Sequence, residues 1–216
     1  MVRLVQGWGI NDEGSSSIRL SDGSVIKCPL YRSWSRMLER CFSRNWKERY
    51  KTYEESLCCE DWRYFSSFKL WAQAQPWQGN DLDKDLLVFG NKEYSPETCI
   101  FIPPMINKAL RVVRTGKNLP GVSFQSKSWS MVNGLKKPWM AKCYSLRDGN
   151  TGTYLGNYST EKEAHNAWRS AKAEALREWA ELWKYEPSMV GSFSEKAYNA
   201  LIQRASLFDD YSVDLV

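Results

Sequence analysis

Residues 79–111 read GNDLDKDLLVFGNKEYSPETCIFIPPMINKALR, and the division of the chain turns on them. A strand runs to Val88, Gly90-Asn91 supplies a turn, and residues 98–102 form a second strand. A short helix is expected from about Pro104, because proline suits the first helical turn. Strand, turn, strand and helix in so short a stretch make a small module.

Upstream, SIRLSDGSVIK (17–27) alternates apolar and polar residues around Asp22-Gly23, which predicts a hairpin with a two-residue turn. In YRSWSRMLERCFSR (31–44), Tyr31, Trp34, Leu38, Cys41 and Phe42 recur at helical spacing. Arg32, Arg36, Arg40 and Arg44 fall four apart on the other side, as one charged ridge. Like charges in a row repel unless an anion or carboxylates stand opposite. A phosphate backbone would answer them, and so would Glu54, Glu55 and Glu60. A second amphipathic helix is expected in CEDWRYFSSFKLWAQ (59–73), with Trp62, Phe65, Phe68, Leu70 and Trp71 on its core side.

Downstream, RVVRTGKNLP (111–120) is basic and holds Gly and Pro, as a linker would. Three strand-like runs follow: GVSFQSKSW (121–129), WMAKCYSL (139–146) and GTYLGNYS (152–159). Asp148-Gly149-Asn150 joins the last two as a turn. Ser159-Thr160 can cap a long helix, with Glu163 in the capping-box position from Thr160. Ala164, Ala167, Trp168, Ala171, Ala175 and Trp179 give that helix a small-residue face to lie against a sheet. A last helix is expected over 194–207, before an acidic tail. The expected class is α+β, with a strand-strand-helix module and flanking helices in 1–110, a linker over 111–119, a three-stranded antiparallel sheet on one long helix in 120–185, and a helix and tail in 186–216.

The chain has 216 residues, 43% of them hydrophobic and 25% charged, an ordinary globular balance. No apolar run approaches the length of a membrane-spanning helix, and MVRLVQGWGINDEG lacks the apolar core of a signal peptide. Six cysteines without regular spacing suit reduced thiols in a cytosol. None stands at zinc-ligand spacing from another, since Cys58 and Cys59 are adjacent. The charge is polarised. Residues 98–147 hold nine Lys or Arg and no acid, and residues 32–51 carry a net +5, so with an overall +5 the remainder carries −9. Such a chain draws polyanions by field and counterion release, which points to nucleic acid.

Trp34, Met37-Leu38, Arg40-Cys41, Trp62, Phe65, Phe68 and the segment LDKDLLVFGNKEYSPETCIFIP (82–103), together with the GWGIND opening, resemble the phage-borne HNH homing-endonuclease-like proteins. Its sharpest part is Tyr94-Ser95-Pro96-Glu97-Thr98-Cys99, similar to the "YSPENC" segment of that family. The resemblance covers roughly residues 5–185. Residues 121–168 resemble the plant APETALA-type (ethylene-response) DNA-binding domain through Gly121-Val122, Trp139-Met140-Ala141, Leu155-Gly156, Thr160, Glu163-Ala164 and Ala167-Trp168. Such domains accompany many phage HNH proteins.

The first resemblance implies a nuclease using a histidine base and a divalent metal. It places Asp83 as a metal-binding acid, Lys84 at the histidine position, Thr98 at the middle Asn, and Asn107 as the last metal-side residue. Lys84 serves as a base only if it loses its proton, which Asp83 and Asp85 on either side oppose. Asp81, Asp83 and Asp85 could still hold Mg²⁺ with water as nucleophile, or be a solvated strand end paired with Lys84 and Lys92. His165 is the single histidine, and its helical setting suits structure better than base catalysis.

The second resemblance implies a sheet that reads the major groove. On WMAKCYSL, Trp139, Ala141 and Cys143 point one way and Met140, Lys142 and Tyr144 the other. The small residues suit the helix side, so Lys142 and Tyr144 face outward with Tyr154 beside them. Where the plant domain has arginines, this chain has Ser123, Lys142 and Tyr144, which favours a grip dominated by phosphates. The DNA-contacting set is expected to be Arg36, Arg40, Arg111, Arg114, Lys127, Lys137, Lys142, Tyr144, Arg147 and Tyr154. Three functions remain open: a DNA-cutting enzyme, a DNA-binding regulator without catalysis, and a phage protein that binds an acidic host protein, as a defence inhibitor would. By resemblance the setting is the cytoplasm of a bacterial host.

Overall fold

A computed structural model describes residues 3–112, 116–125, 136–144, 152–184 and 192–211. It is α+β, and the chain divides into two compact units, Met1–Pro104 and Met105–Val216.

In the first unit, strands β1 (Ser17–Arg19) and β2 (Val25–Lys27) pair antiparallel, with Ile18 opposite Ile26. Their loop has three residues rather than the expected two. Leu20 and Ser24 still bond, and Gly23 sits at φ +84°, the left-handed position of that loop. Helix α1 (Pro29–Phe42) buries Leu30, Trp34, Met37, Leu38 and Cys41. Ser43 ends it and caps α2 (Arg44–Arg49), accepting from the Trp46 N–H. Arg44 therefore stands on a separate helix, and the expected ridge of four is broken.

The second expected helix is also split. A 3-10 turn, Glu60–Arg63, is followed by extended Tyr64 and then α3 (Phe65–Gln73). Tyr64 is drawn out of the helix by pairing with Ile10, whose carbonyl accepts from the Phe65 N–H. Trp62, Phe65 and Phe68 are buried as expected, whereas Leu70 is 74% exposed. The GWGIND segment closes this core. Trp8 stacks on Phe42 at 4.5 Å. At Gly9 a Cβ would fall 2.3 Å from Leu38 Cδ1, so only glycine fits there. The Asp12 carboxylate accepts from the Ser66 N–H and hydroxyl, capping α3 from outside the helix.

Strand β3 (Leu57–Cys58) pairs in parallel with β5 (Glu93–Tyr94), and β4 (Asp81–Asp83) pairs antiparallel with β6 (Ile100–Ile102). The first strand of the module thus stops at Asp83 instead of Val88. Asp83 Oδ1 accepts from the N–H groups of Asp85 and Leu86, turning the chain out of the sheet.

In the second unit, β7 (Val122–Phe124), β8 (Trp139–Cys143) and β9 (Thr153–Tyr158) form an antiparallel sheet in that order. Helix α5 (Glu161–Trp183) carries the expected capping box at Thr160 and Glu163, and Ala164 packs with Val122 and Ala141. Helix α6 (Ser192–Asp209) packs along α5, with the Trp168 and Phe208 rings edge to face at 5.6 Å. Arg169, 4% exposed, donates to the Phe208 and Leu207 carbonyls and so closes the C-terminus of α6. Lys172, equally buried, does the same for α4 (Pro104–Leu110) through the Ala109 and Arg111 carbonyls. This ties residues 109–111 to the second unit. The 148–150 turn, the tail at 212–216 and linker residues 113–115 lie outside the described residues. Among the described residues no helix is long and apolar enough to cross a membrane.

Candidate nucleic-acid interface

The face of the β7–β8–β9 sheet opposite α5 gathers polar and aromatic side chains. Ala141 and Cys143 are buried toward the helix, whereas Lys142 and Tyr144 are exposed. Tyr154 stands directly across from Lys142, and Tyr144 and Tyr154 are each 57% exposed. The Tyr144 ring lies over Gly152, where a Cβ would come within 3.1 Å of it. In the next row Met140 stands between Ser123 and Asn157.

The register shifts at one point. Ala141 faces Gly156 and Lys142 faces Tyr154, so Leu155 is an extra residue on β9. This bulge sends Leu155 inward to pack on the Val122–Ala141–Ala164 cluster. It also returns Asn157 to the face that Tyr154 occupies, although residues three apart on a regular strand lie on opposite faces. The Tyr154 hydroxyl donates to Asn157 Oδ1 at 2.9 Å. Asn157 Nδ2 donates to Gln125 Oε1 at 3.2 Å, and Gln125 Nε2 to Met140 Sδ at 3.7 Å. Neither Gln125 nor Asn157 was among the expected contacts. The signal available for them was Gly156 inside a strand-like run, the usual mark of a bulge.

The other expected DNA contacts are scattered. Arg111 and Lys137 are exposed, while Arg114, Lys127 and Arg147 lie outside the described residues. Arg36 is exposed on α1 with Arg32. Arg40 is not a surface cation: its Nη1 donates to the Tyr94 hydroxyl at 3.3 Å, and its guanidinium lies 5.6 Å from the Tyr53 ring. Burial works against its charge, but the neighbouring Tyr94, Tyr53 and Asp81 outweigh that and raise its pKa. Arg44 pairs with Glu48 at 2.8 Å. Glu54 and Glu55 answer Lys51 and Lys92.

The acidic segment 81–85 is a braced turn. Asp83 is 9% exposed, with Oδ1 held by the Asp85 N–H (2.9 Å) and the Leu86 N–H (2.6 Å). Lys84, 6% exposed, donates to Asp85 Oδ1 at 2.6 Å and to the Asn91 carbonyl at 2.7 Å. Asn91 answers through Nδ2, which donates to the Lys84 and Glu93 carbonyls. Thr98 donates to the Glu93 carbonyl at 2.8 Å, and Asn107 is half-buried on α4, within the second unit. This donor set does not fit Mg²⁺. One Asp83 oxygen is spent on two backbone amides, and the neighbouring carboxylate is joined to an ammonium that occupies the place of a cation. Among the described residues, no three or more His, Cys, Asp or Glu are arranged to hold a metal ion.

His165 Nδ1 donates to the Pro120 carbonyl at 2.9 Å, and its ring stacks on Trp168 at 5.4 Å. It pins the turn before β7, together with Glu161, which accepts from the Leu119 N–H at 2.6 Å. The six cysteines are free thiols. Burial pushes Cys41 up to about 12 and raises Cys99 as well, which keeps both protonated. Comparison with family models, curated proteins and solved structures yields no match to this chain.

Proposed function

We propose that this protein binds double-stranded DNA through the outer face of the β7–β8–β9 sheet. The observation that carries the reading is the juxtaposition of Lys142, Tyr144 and Tyr154 on that face, turned away from α5. Lys142 and Tyr144 belong to residues 98–147, which hold nine cations and no acid. Lys142 would neutralise a phosphate and release its counterion. The tyrosine hydroxyls and the Asn157 and Gln125 amides present donors and acceptors toward sugar, phosphate and base edges. A sheet face or ribbon is one of the shapes a groove admits.

On this reading the 81–85 segment braces the first unit rather than cutting DNA, because Lys84 and the Asp83 carboxylate are spent on local bonds. The test is a gel assay on supercoiled plasmid and linear duplex, with Mg²⁺ or with EDTA. A salt-sensitive mobility shift, equal under both conditions and without cleavage, is expected. Metal-dependent conversion to open circle or linear DNA, lost in Asp83→Ala, would overturn the non-cutting part. Absence of any shift at low salt would overturn DNA binding and leave an acidic protein partner as the remaining reading.

A further inference from the structure

The Tyr154–Asn157–Gln125 chain has a direction. The Met140 thioether can only accept, so Gln125 turns Nε2 to it and Oε1 to Asn157, which sets Asn157 Nδ2 toward Gln125 and Oδ1 toward the Tyr154 hydroxyl. An asparagine amide carries two N–H bonds and two acceptor lone pairs. These bonds use one of each. A second N–H and a second lone pair remain, held in known order on the outer face. The bulge at Leu155 builds this arrangement, since it alone brings Tyr154 and Asn157 to one side.

We infer that Asn157, oriented by Tyr154 and Gln125, reads adenine in the major groove. Its Oδ1 would accept from the adenine N6 amino group while Nδ2 donates to N7, the bidentate pairing that asparagine makes with this base. The guanine edge presents N7 and O6, both acceptors, and so does not match the one donor and one acceptor that the amide offers to a single base. The inference rests on duplex binding by this face and adds a base preference to it.

The test measures fluorescence anisotropy of the full chain with three labelled duplexes of equal length. One contains A·T pairs, one has the same sequence with 7-deazaadenine, and one is all G·C. The A·T duplex is expected to bind about fivefold or more tighter than either of the others. Asn157→Ala should bring all three to the affinity of the G·C duplex, and Tyr154→Phe should narrow the gap while the fold, followed by circular dichroism, is unchanged. Equal affinity of the wild type for the three duplexes, or a preference that survives in Asn157→Ala, overturns the inference and leaves duplex binding standing. Failure to bind any of the three overturns both.

Discussion

Gly121 lies flat against the indole of Trp168: a Cβ on it would fall 2.0 Å from Trp168 Cδ1, and its φ is +74°. Two costs therefore meet in Gly121→Ala. The left-handed backbone costs a residue with a side chain about 1–2 kcal/mol, and forcing a methyl into a filled core adds about 1–3 kcal/mol. Gly14→Ala is the control, at φ +77° with nothing within 4 Å, and carries the backbone cost alone. Urea unfolding should show a lower midpoint for both variants and a clearly larger loss at Gly121. Equal losses would mean that Trp168 yields and that the contact is not what demands glycine.

Asp12 caps α3 from a distant segment, so its removal should loosen that helix. Burial acts to raise its pKa, but the bonds from Ser66 outweigh it and the net direction is downward. A carboxylate lowered by folding stabilises above the unfolded pKa near 3.8, and that contribution disappears as pH falls through the lower folded value. Since Asp12 is exposed, Asp12→Ala should cost about 0.5–1 kcal/mol at pH 7, the low end for a lost cap. The difference between variant and wild type should close in acid below pH 3.8. A difference that persists unchanged there would remove the carboxylate charge as its cause.

What could be read from the chain follows from the range of the forces involved. The capping box at Thr160 and the alternation of Ala141, Lys142, Cys143 and Tyr144 depend on neighbours within four residues, and both stand as expected. The strand expected to reach Val88 ended at Asp83 because one side-chain oxygen outcompeted the ladder. The parallel pair of Leu57–Cys58 with Glu93–Tyr94 joins strands too short to show any period. Arg40 and Arg36 look alike along the helix, and only the fold puts Tyr94 and Tyr53 beside one of them. On the outer sheet face, Lys142, Tyr144 and Tyr154 were legible from alternation. Asn157 was not, because the bulge inverts the phase on which the reading rests.

Lys84 offers a test of bracing against chemistry. Lys84→Met keeps length and apolar packing but leaves the Asn91 carbonyl without its donor and Asp85 without its cation. A loss of about 1–3 kcal/mol in unfolding free energy is expected, the range for removing one partner of a charge-assisted bond. Duplex affinity of the folded variant should equal that of the wild type. A variant with full stability would show that these two bonds do not brace the turn.

Lys172 gives a second pH signature, of the same sign but in the alkaline range. Burial lowers its pKa below 10.5, with Arg204 adding in the same direction and Cys143 opposing. The unfolded chain then holds this proton more tightly than the folded one, so stability from this site rises as pH climbs from the lowered value toward 10.5. Lys172→Met removes the titrating group. The stability of the wild type relative to the variant should therefore increase as pH approaches 10.5 from below, followed by thermal melts. A flat difference would mean that Lys172 carries its proton equally in both states.

The arginines and lysines of the expected DNA-contacting set separate by what they touch. Lys142 is exposed across from Tyr154, so Lys142→Ala should weaken duplex binding at every sequence and lower the slope of log K against log salt by about one. Its unfolding midpoint should stay within about 0.5 kcal/mol of the wild type, as for a surface change. Arg40 is turned to Tyr94 and Tyr53 in the first unit, where its guanidinium fills space and satisfies a buried hydroxyl. Arg40→Ala should cost stability by about 1–3 kcal/mol and leave the salt slope as it was. The two measurements cross: one variant moves the slope and not the midpoint, the other the midpoint and not the slope. If Arg40→Ala lowered the slope while Lys142→Ala did not, the polyanion would lie against α1, and the sheet face would lose its claim to the duplex.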